Sequence, residues 1–404
     1  MSSRSSGAPP TTMQRPFAPE TGLLSGRKHA LDGLRTVAVA AVFLFHTVTE
    51  FAPGGSMGVD VFFTLSGFVI TLLIMKEYQA TGRLRLGVFY AKRLARLWPA
   101  LLIVCAFVAT VALIFPASGL GGQESYAIPA AAYVMNLARA GLIVSPITGG
   151  ALAPTWTLAV EEQFYLVWPL LLLLVLLFCK ARAAAWVTAV FAAAFLLERF
   201  LLVSGGVPLA RIYNGADTRA DQLLLGCVMA LVFTTVRPGS RFHAFLLAGA
   251  RWAGPLAGLA LLAAVLMIQE PNTPGAWFDI FWTAGPAALS ILAGLVIGWL
   301  VLHPAGLGAR VLSHPWLANP GRDLSYAFYL WHMPVYLLLI PLIPSPWLRV
   351  PLAAALTGLM AYLSFRFVER PVRRWAARKL EPDAVVPVRP VREPERELES
   401  AGRS

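Results

Sequence analysis

The apolar residues of this chain come in blocks rather than in alternation. Runs of about 20 apolar residues, enough to cross a bilayer's hydrocarbon layer, recur along most of its length. Polar and charged residues collect between them. The pattern predicts ten membrane-spanning helices, over 31–51, 57–75, 95–115, 158–179, 184–203, 218–236, 252–268, 281–302, 323–342 and 350–369. Continuous runs argue against a transmembrane β-barrel, whose strands alternate residue by residue. The expected fold class is therefore all-α, a polytopic membrane bundle of about ten transmembrane helices.

One segment breaks the pattern. Residues 125–144 are moderately apolar but contain Pro129, Asn136 and Arg139. Counting them as a crossing would move Lys180 and Arg182 to the side of the loops that are poor in lysine and arginine. They read as a re-entrant or interfacial segment on the outer side, where irregular backbone is tolerated if it lines a cavity. An eleventh span is the competing account. With that segment set aside, Arg27 and Lys28, the run from Lys76 to Arg96, Lys180 and Arg182, Arg237 to Arg251, Arg310 and Arg322, and Arg370 to Arg374 all fall on one side. The positive-inside rule makes that side cytoplasmic, places both termini there, and puts the protein in the cell's inner (plasma) membrane.

Residues 1–28 are rich in Ser, Pro, Thr and Arg, and residues 376–404 in Arg, Glu and Pro. Both are expected to be disordered cytoplasmic tails flanking a membrane domain over 29–375. The first 28 residues have no apolar core before a small-residue cleavage site, so the first span is expected to act as its own targeting signal.

Composition narrows the function. Of 404 residues, 57% are hydrophobic and 13% charged, about half the charged share of about 25% in soluble domains. The net charge of +12 sits between and beyond the spans, which is loop chemistry and argues against nucleic acid as a partner. Cys105, Cys179 and Cys227 lie in apolar segments with no short-spaced partner, so neither a disulfide framework nor a zinc site is expected. No phosphate-binding glycine loop, dinucleotide fingerprint or His-Glu-x-x-His helix occurs, and no metal is expected.

Several polar residues inside the spans are candidates for chemistry. Arg35 and His46 are eleven residues apart, so they share one helix face, roughly 16 Å apart along the axis. Asp60 opens the second span near the end that His46 approaches. Ionisable residues in such segments face an interior and pair with each other, as a structural ion pair or as a functional cluster. Lys92, Arg93 and Arg96 form a basic cluster suited to a polyanion, against ordinary anchoring at the membrane surface. Trp156, Glu161, Glu162 and Tyr165 open the fourth span, with Glu161 and Tyr165 on one face. Asp217, Arg219 and Asp221 open the sixth, where a capped, self-neutralising helix entrance is the alternative to a site. Tyr329 and His332 lie in the ninth span. Ser66, in Leu65-Ser66-Gly67-Phe68, lacks the nucleophile-elbow pattern and reads as a packing residue.

These stretches resemble the acyltransferase-3 family of integral-membrane O-acyltransferases, bacterial enzymes that acetylate envelope sugars and secondary metabolites. The resemblance rests on Arg35 to His46, Gly58-Val59-Asp60-Val61-Phe62-Phe63 with Leu65-Ser66-Gly67-Phe68, and Phe89-Tyr90 with Arg93 and Arg96. It continues through Trp156, Leu158, Glu161 and Phe164-Tyr165, Asp217 to Asp221, Tyr329-Leu330-Trp331-His332 with Pro334, and Val368-Glu369-Arg370-Pro371. Each is weak alone, but seven in order over Leu31 to Arg374 make a specific match. Lys92 stands where many relatives have arginine.

The resemblance implies ten helices and transfer of an acyl group, acetyl first, from cytosolic acyl-CoA to a hydroxyl. The acceptor would be a glycan, glycolipid or macrolide-like metabolite. It implies essential roles for His46 and Arg35, with Glu161 in the family's glutamate position and acyl-CoA as co-substrate rather than a tightly bound cofactor. Some relatives carry an extracytoplasmic esterase-like domain after the last span; here a short charged tail follows, so direct transfer to the acceptor is expected. The mechanism expected from the residues has Arg93 and Arg96 on the CoA phosphates, with Arg35 either holding the pantetheine arm or stabilising negative charge at the thioester oxygen. His46, oriented by Asp60 or Glu161, acts as general base, or alternatively carries the acyl group itself. Trp156, Tyr165, Asp217, Arg219, Asp221, Tyr329 and His332 are expected to line the acceptor cavity. A transporter using the same Arg, His, Asp and Glu residues as a proton or solute pathway is the alternative from another class.

Overall fold

The computed structural model describes residues 28–380. Both terminal tails expected from the composition lie outside these residues, apart from Lys28 and the stretch 376–380. Among the described residues the regular elements are all helical. We label the long helices α1 (His29–Thr47), α2 (Gly58–Thr81), α3 (Leu86–Ile114), α4 (Thr155–Phe178), α5 (Ala181–Ser204) and α6 (Asp217–Thr235). They continue as α7 (Arg241–Met267), α8 (Ala276–Leu302), α9 (Ser325–Leu339), α10 (Pro346–Ser364) and α11 (Arg370–Leu380).

Each of the ten expected spans is a helix, and eight are long and apolar enough to cross a membrane. The other two fall short for different reasons. Helix α6 opens with Asp217, Arg219, Asp221 and Gln222, and α9 has only 15 residues, about 22 Å at 1.5 Å per residue. Helix α11 runs to Leu380, with Ala376 buried, so helix extends five residues into the segment expected to be disordered. A π-helical turn at Phe365–Glu369 joins it to α10.

Residues 125–144 form no spanning helix. They break into two five-residue helices, Ala127–Ala131 and Met135–Arg139, each about 7.5 Å long and far short of a bilayer. Tyr133, between them, has φ of 54°, a left-handed conformation uncommon in residues other than glycine. Gln163 of α4 holds the break in place. Its Nε2 donates to the Tyr133 carbonyl (2.9 Å) and to Asn136 Oδ1 (2.9 Å), while Asn136 Nδ2 returns a bond to Gln163 Oε1 (3.1 Å).

Helices α2 and α6 approach each other closely. A Cβ on Gly67 would sit 1.9 Å from the Leu223 carbonyl oxygen, and one on Gly226 would sit 2.0 Å from that of Thr64. Without side chains at these two positions the backbones meet directly, which is how helices gain packing where lipid offers no hydrophobic drive. The Cys227 thiol donates to the Gly67 carbonyl (3.4 Å). The largest apolar cluster draws on α1, α2, α3, α4, α9 and α10, and the polar cavity lies among these helices.

Candidate active site

The cavity encloses about 150 Å³ and is lined by Arg35, Phe62, Ser66, Arg93, Arg96, Tyr133, Glu161, Glu162, Tyr165 and Tyr329, among others. Five helices, with Tyr133 from the break between the two short ones, contribute these groups. Helix α1 supplies Arg35, nearly two turns inside its start, where Arg35 NH1 also donates to Asp32 Oδ1 (3.2 Å). From α2 comes Ser66, whose hydroxyl donates to Glu161 Oε1 of α4 (2.8 Å). The sequence reading made Ser66 a packing residue; it is a polar member of the cavity wall. Three arginines and two glutamates face the cavity, so its lining is net positive.

Arg93 is committed within that wall. Its guanidinium bonds both carboxylate oxygens of Glu162 and lies 3.1 Å from the centre of the Tyr165 ring. Glu162 is thus the partner of Arg93. Arg96 faces two ways. It lines the cavity and also a second, open groove with Lys92, Arg322, Arg370, Arg373 and Arg374. Asp323, the one acidic group there, is bonded to Arg322 (2.9 and 2.6 Å). The expected cluster of Lys92, Arg93 and Arg96 is therefore divided, with Arg93 turned inward and the other two opening onto the groove.

At the other end of the cavity stands Tyr329 of α9. Its hydroxyl meets Thr157 Oγ1 (2.8 Å) and donates to the Pro154 carbonyl (3.0 Å), which pins α9 to the start of α4. Behind it are two histidines. Nδ1 of His332 donates to the Tyr329 carbonyl (2.5 Å), and its Nε2 lies 3.3 Å from Nδ1 of His46. His46 Nδ1 is also 3.0 Å from the Val42 carbonyl.

The geometry corrects the expected orientation of His46. Its polar partners are His332 and its own helix backbone, not Asp60 or Glu161. Asp60 instead forms a buried ion pair with Arg219 (3.5 Å). Neither histidine lines the cavity: the Tyr329 ring, which does, lies 5.4 Å from that of His332, which in turn lies 5.1 Å from that of His46, a half-buried residue near the end of α1.

Four other residues expected at an acceptor cavity do not line this one and are paired elsewhere. Trp156 packs on Tyr213 (4.9 Å between ring centres). Arg219 lies over the rings of Tyr213, Trp156 and Trp282, 4.9 to 5.6 Å from their centres. Asp221 is fully committed to Arg199 through two hydrogen bonds (2.7 and 2.8 Å), and Asp217 pairs with Arg211. The three charges that open α6 thus neutralise groups on other elements rather than each other. Tyr165 and Tyr329 line the cavity. Outside the spans, Ser56 donates to Glu270 (2.7 Å), and burial pushes the Glu270 carboxyl above its ordinary pKa.

No group of three or more His, Cys, Asp or Glu side chains placed to hold a metal occurs among the described residues. Cys105, Cys179 and Cys227 are free thiols.

An all-helical membrane bundle with an internal cavity lined by arginine and glutamate defines a class of polytopic membrane proteins with a buried polar site. A family model described as an acyltransferase domain matches residues 28–368, and the chain belongs to that acyltransferase-3 family. It is 31% identical over 366 residues to the peptidoglycan O-acetyltransferase OatA of Listeria monocytogenes, covering 85% of this chain and 56% of the relative. It is also 31% identical over 357 residues to the O-acetyltransferase OatA of Staphylococcus aureus, covering 85% of this chain and 57% of the relative. The chain thus spans little more than half the length of these relatives. No solved structure matches it.

Proposed function

We propose that this protein transfers an acetyl group from acetyl-CoA, entering at the basic groove, to a hydroxyl of an envelope glycan at the opposite end of the bundle. The observation that carries this reading is the position of Arg96, a single residue lining both the groove and the cavity. CoA is a polyanion on a long, thin arm. The groove supplies guanidinium and ammonium groups for the phosphates, and Arg96 marks where the arm turns inward. Arg35 and the Ser66–Glu161 pair then line its course towards Tyr329. The relatives named above support acetyl as the group and a peptidoglycan-type sugar as the acceptor. Family membership favours the transferase over a transporter built on the same charges.

In this mechanism His46 Nε2 takes the proton of the acceptor hydroxyl as its oxygen attacks the thioester carbonyl carbon. The carbon–sulfur bond breaks, the CoA sulfur leaves as thiolate, and the proton on His46 passes to that sulfur, restoring the base. Arg35, roughly 16 Å from His46 along α1 and bonded to Asp32, lies too far from the reacting carbon to meet the oxyanion and is placed to hold the donor's arm. The reaction needs Tyr329 to yield, since it stands between the cavity and His46. Membranes carrying the wild-type chain or the His46→Ala variant, given labelled acetyl-CoA and peptidoglycan fragments, provide the test. Label should reach the glycan and free CoA thiol should appear only with His46 present. Full transfer by His46→Ala would remove the histidine from the chemistry.

A further inference from the structure

We propose that His332 selects which nitrogen of His46 acts as the base, an inference that rests on the transferase reading above. Backbone carbonyls only accept hydrogen bonds, so each ring nitrogen that faces one must carry a hydrogen. Nδ1 of His332 faces the Tyr329 carbonyl at 2.5 Å and is therefore the protonated nitrogen of a neutral ring, leaving a lone pair on Nε2. Nδ1 of His46 faces the Val42 carbonyl at 3.0 Å and likewise carries a hydrogen, which it shares with the His332 Nε2 lone pair at 3.3 Å. The lone pair of His46 is thereby placed on Nε2.

That nitrogen makes no hydrogen bond to any described residue, yet it is not among the sealed, unpartnered polar atoms. It is the open face of the pair. The opposite arrangement, with His332 Nε2–H donating to His46 Nδ1, would set the Nδ1 lone pair against the Val42 oxygen. It would also require His332 to hold two protons while 1% exposed. The ring hydrogens thus run in one direction: Tyr329 accepts from His332, and His332 accepts from His46.

The consequence appears when His46 Nε2 takes the acceptor's proton. Both His46 nitrogens then carry hydrogens, and Nδ1–H becomes a charged donor to His332 Nε2, a bond stronger than its neutral form. His332 touches neither substrate. It is a positioning residue that stabilises the imidazolium as it forms and keeps Nε2 pointing outward.

Three substitutions test this in detergent-solubilised full-length protein, with acetyl transfer and thermal unfolding measured together. His332→Leu removes the acceptor and should lower kcat about thirtyfold, the effect of losing a hydrogen bond to a charged group, with the KM for acetyl-CoA unchanged. His332→Gln offers an oxygen where Nε2 stood and should recover to within about threefold of wild type. His332→Asn, whose amide reaches only to the Nδ1 position, should stay impaired even if His332→Leu does not fold. A wild-type kcat in His332→Leu, or equal losses in the Gln and Asn variants at matched stability, would overturn the proposal. The His46→Ala control separates the two levels. Activity there sinks the transferase chemistry at His46, whereas an inactive His46→Ala beside a fully active His332→Leu sinks only the role of His332.

Discussion

The Arg93 guanidinium grips both oxygens of the Glu162 carboxylate, with its Nε 3.1 and 3.2 Å from them and its second nitrogen 2.9 Å from one. Both side chains are about four-fifths buried, at 20% exposure each. Removing one partner leaves the other charge in a poorly hydrated wall. Glu162→Gln is expected to destabilise the solubilised protein by about 2 kcal/mol, below the 3–5 kcal/mol of a fully buried pair. Arg93→Lys should be similarly unstable, because an ammonium cannot reproduce the two-pronged contact. Thermal unfolding of both variants checks this, and an unchanged midpoint in either would contradict it.

The groove should behave differently. Arg373 and Arg374 line it beside Arg96, and neither belongs to the wall of the cavity. Replacing either with Ala should raise the KM for acetyl-CoA about tenfold, equivalent to about 1.4 kcal/mol, with kcat and thermal stability held. The ratio of variant to wild-type KM should shrink with added salt, because the contribution of exposed charges is screened. A KM that stays level across both variants and a salt series would place the donor's phosphates elsewhere.

Arg199 and Asp221 are buried to 1% and 2% exposure, and Arg199 also donates to the Thr218 and Thr283 carbonyls. Arg199→Leu alone should cost about 4 kcal/mol, since it strands the carboxylate and two carbonyls. The double variant Arg199→Leu with Asp221→Leu should be less damaging than the single one. A double variant no better than Arg199→Leu would show that the ion pair is not the source of the loss.

Gly226→Ala should be among the most damaging small substitutions in the chain, because its Cβ would overlap the Thr64 carbonyl oxygen at 2.0 Å. Gly258→Ala, in α7, meets nothing nearer than Val296 Cγ2 at 3.8 Å. It should be neutral or stabilising by up to about 1 kcal/mol from helix propensity. Expression level and unfolding midpoint of the two variants provide the comparison, and equal behaviour would mean that α2 and α6 have room to separate.

Glu270 gives a pH dependence with a definite sign. Burial raises its folded-state pKa above the ordinary value of 4.5, so the folded protein holds a proton that the unfolded chain releases. Its contribution is full below the unfolded pKa and falls as pH rises towards the folded one. Wild-type stability should therefore carry a downward component above pH 4.5 that Glu270→Gln, which keeps an acceptor for Ser56, removes. Parallel stability–pH curves for the two proteins would refute the assignment.

The helices were legible because a bilayer demands continuous apolar runs of fixed length, and that demand is written residue by residue. The break at 125–144 was legible too, through Pro129, Asn136 and Arg139, although nothing local marked Gln163 as its anchor. The partners of the buried charges were not legible. Asp217, Arg219 and Asp221 are neighbours in sequence, yet each answers to a group on another element, Arg211, Asp60 and Arg199 respectively. Arg199 had a usable signal, being a charge within a predicted span, about one turn from its end. Ser66 had none beyond its place in a family motif, since a hydroxyl on an apolar helix looks the same whether it packs or bonds a carboxylate. His46 was found by its spacing from Arg35, but its true neighbour is 286 positions away, a distance over which no pattern of helical period can speak.

Tyr329 closes one end of the cavity while its carbonyl anchors the histidine pair behind it. On the transferase reading, an activated thioester and a wet base are kept a single side chain apart. Water reaching His46 from outside meets a phenol ring before it meets the thioester. Wasteful hydrolysis of the donor, in the absence of any sugar to receive the group, is then governed chiefly by how often that one ring swings aside.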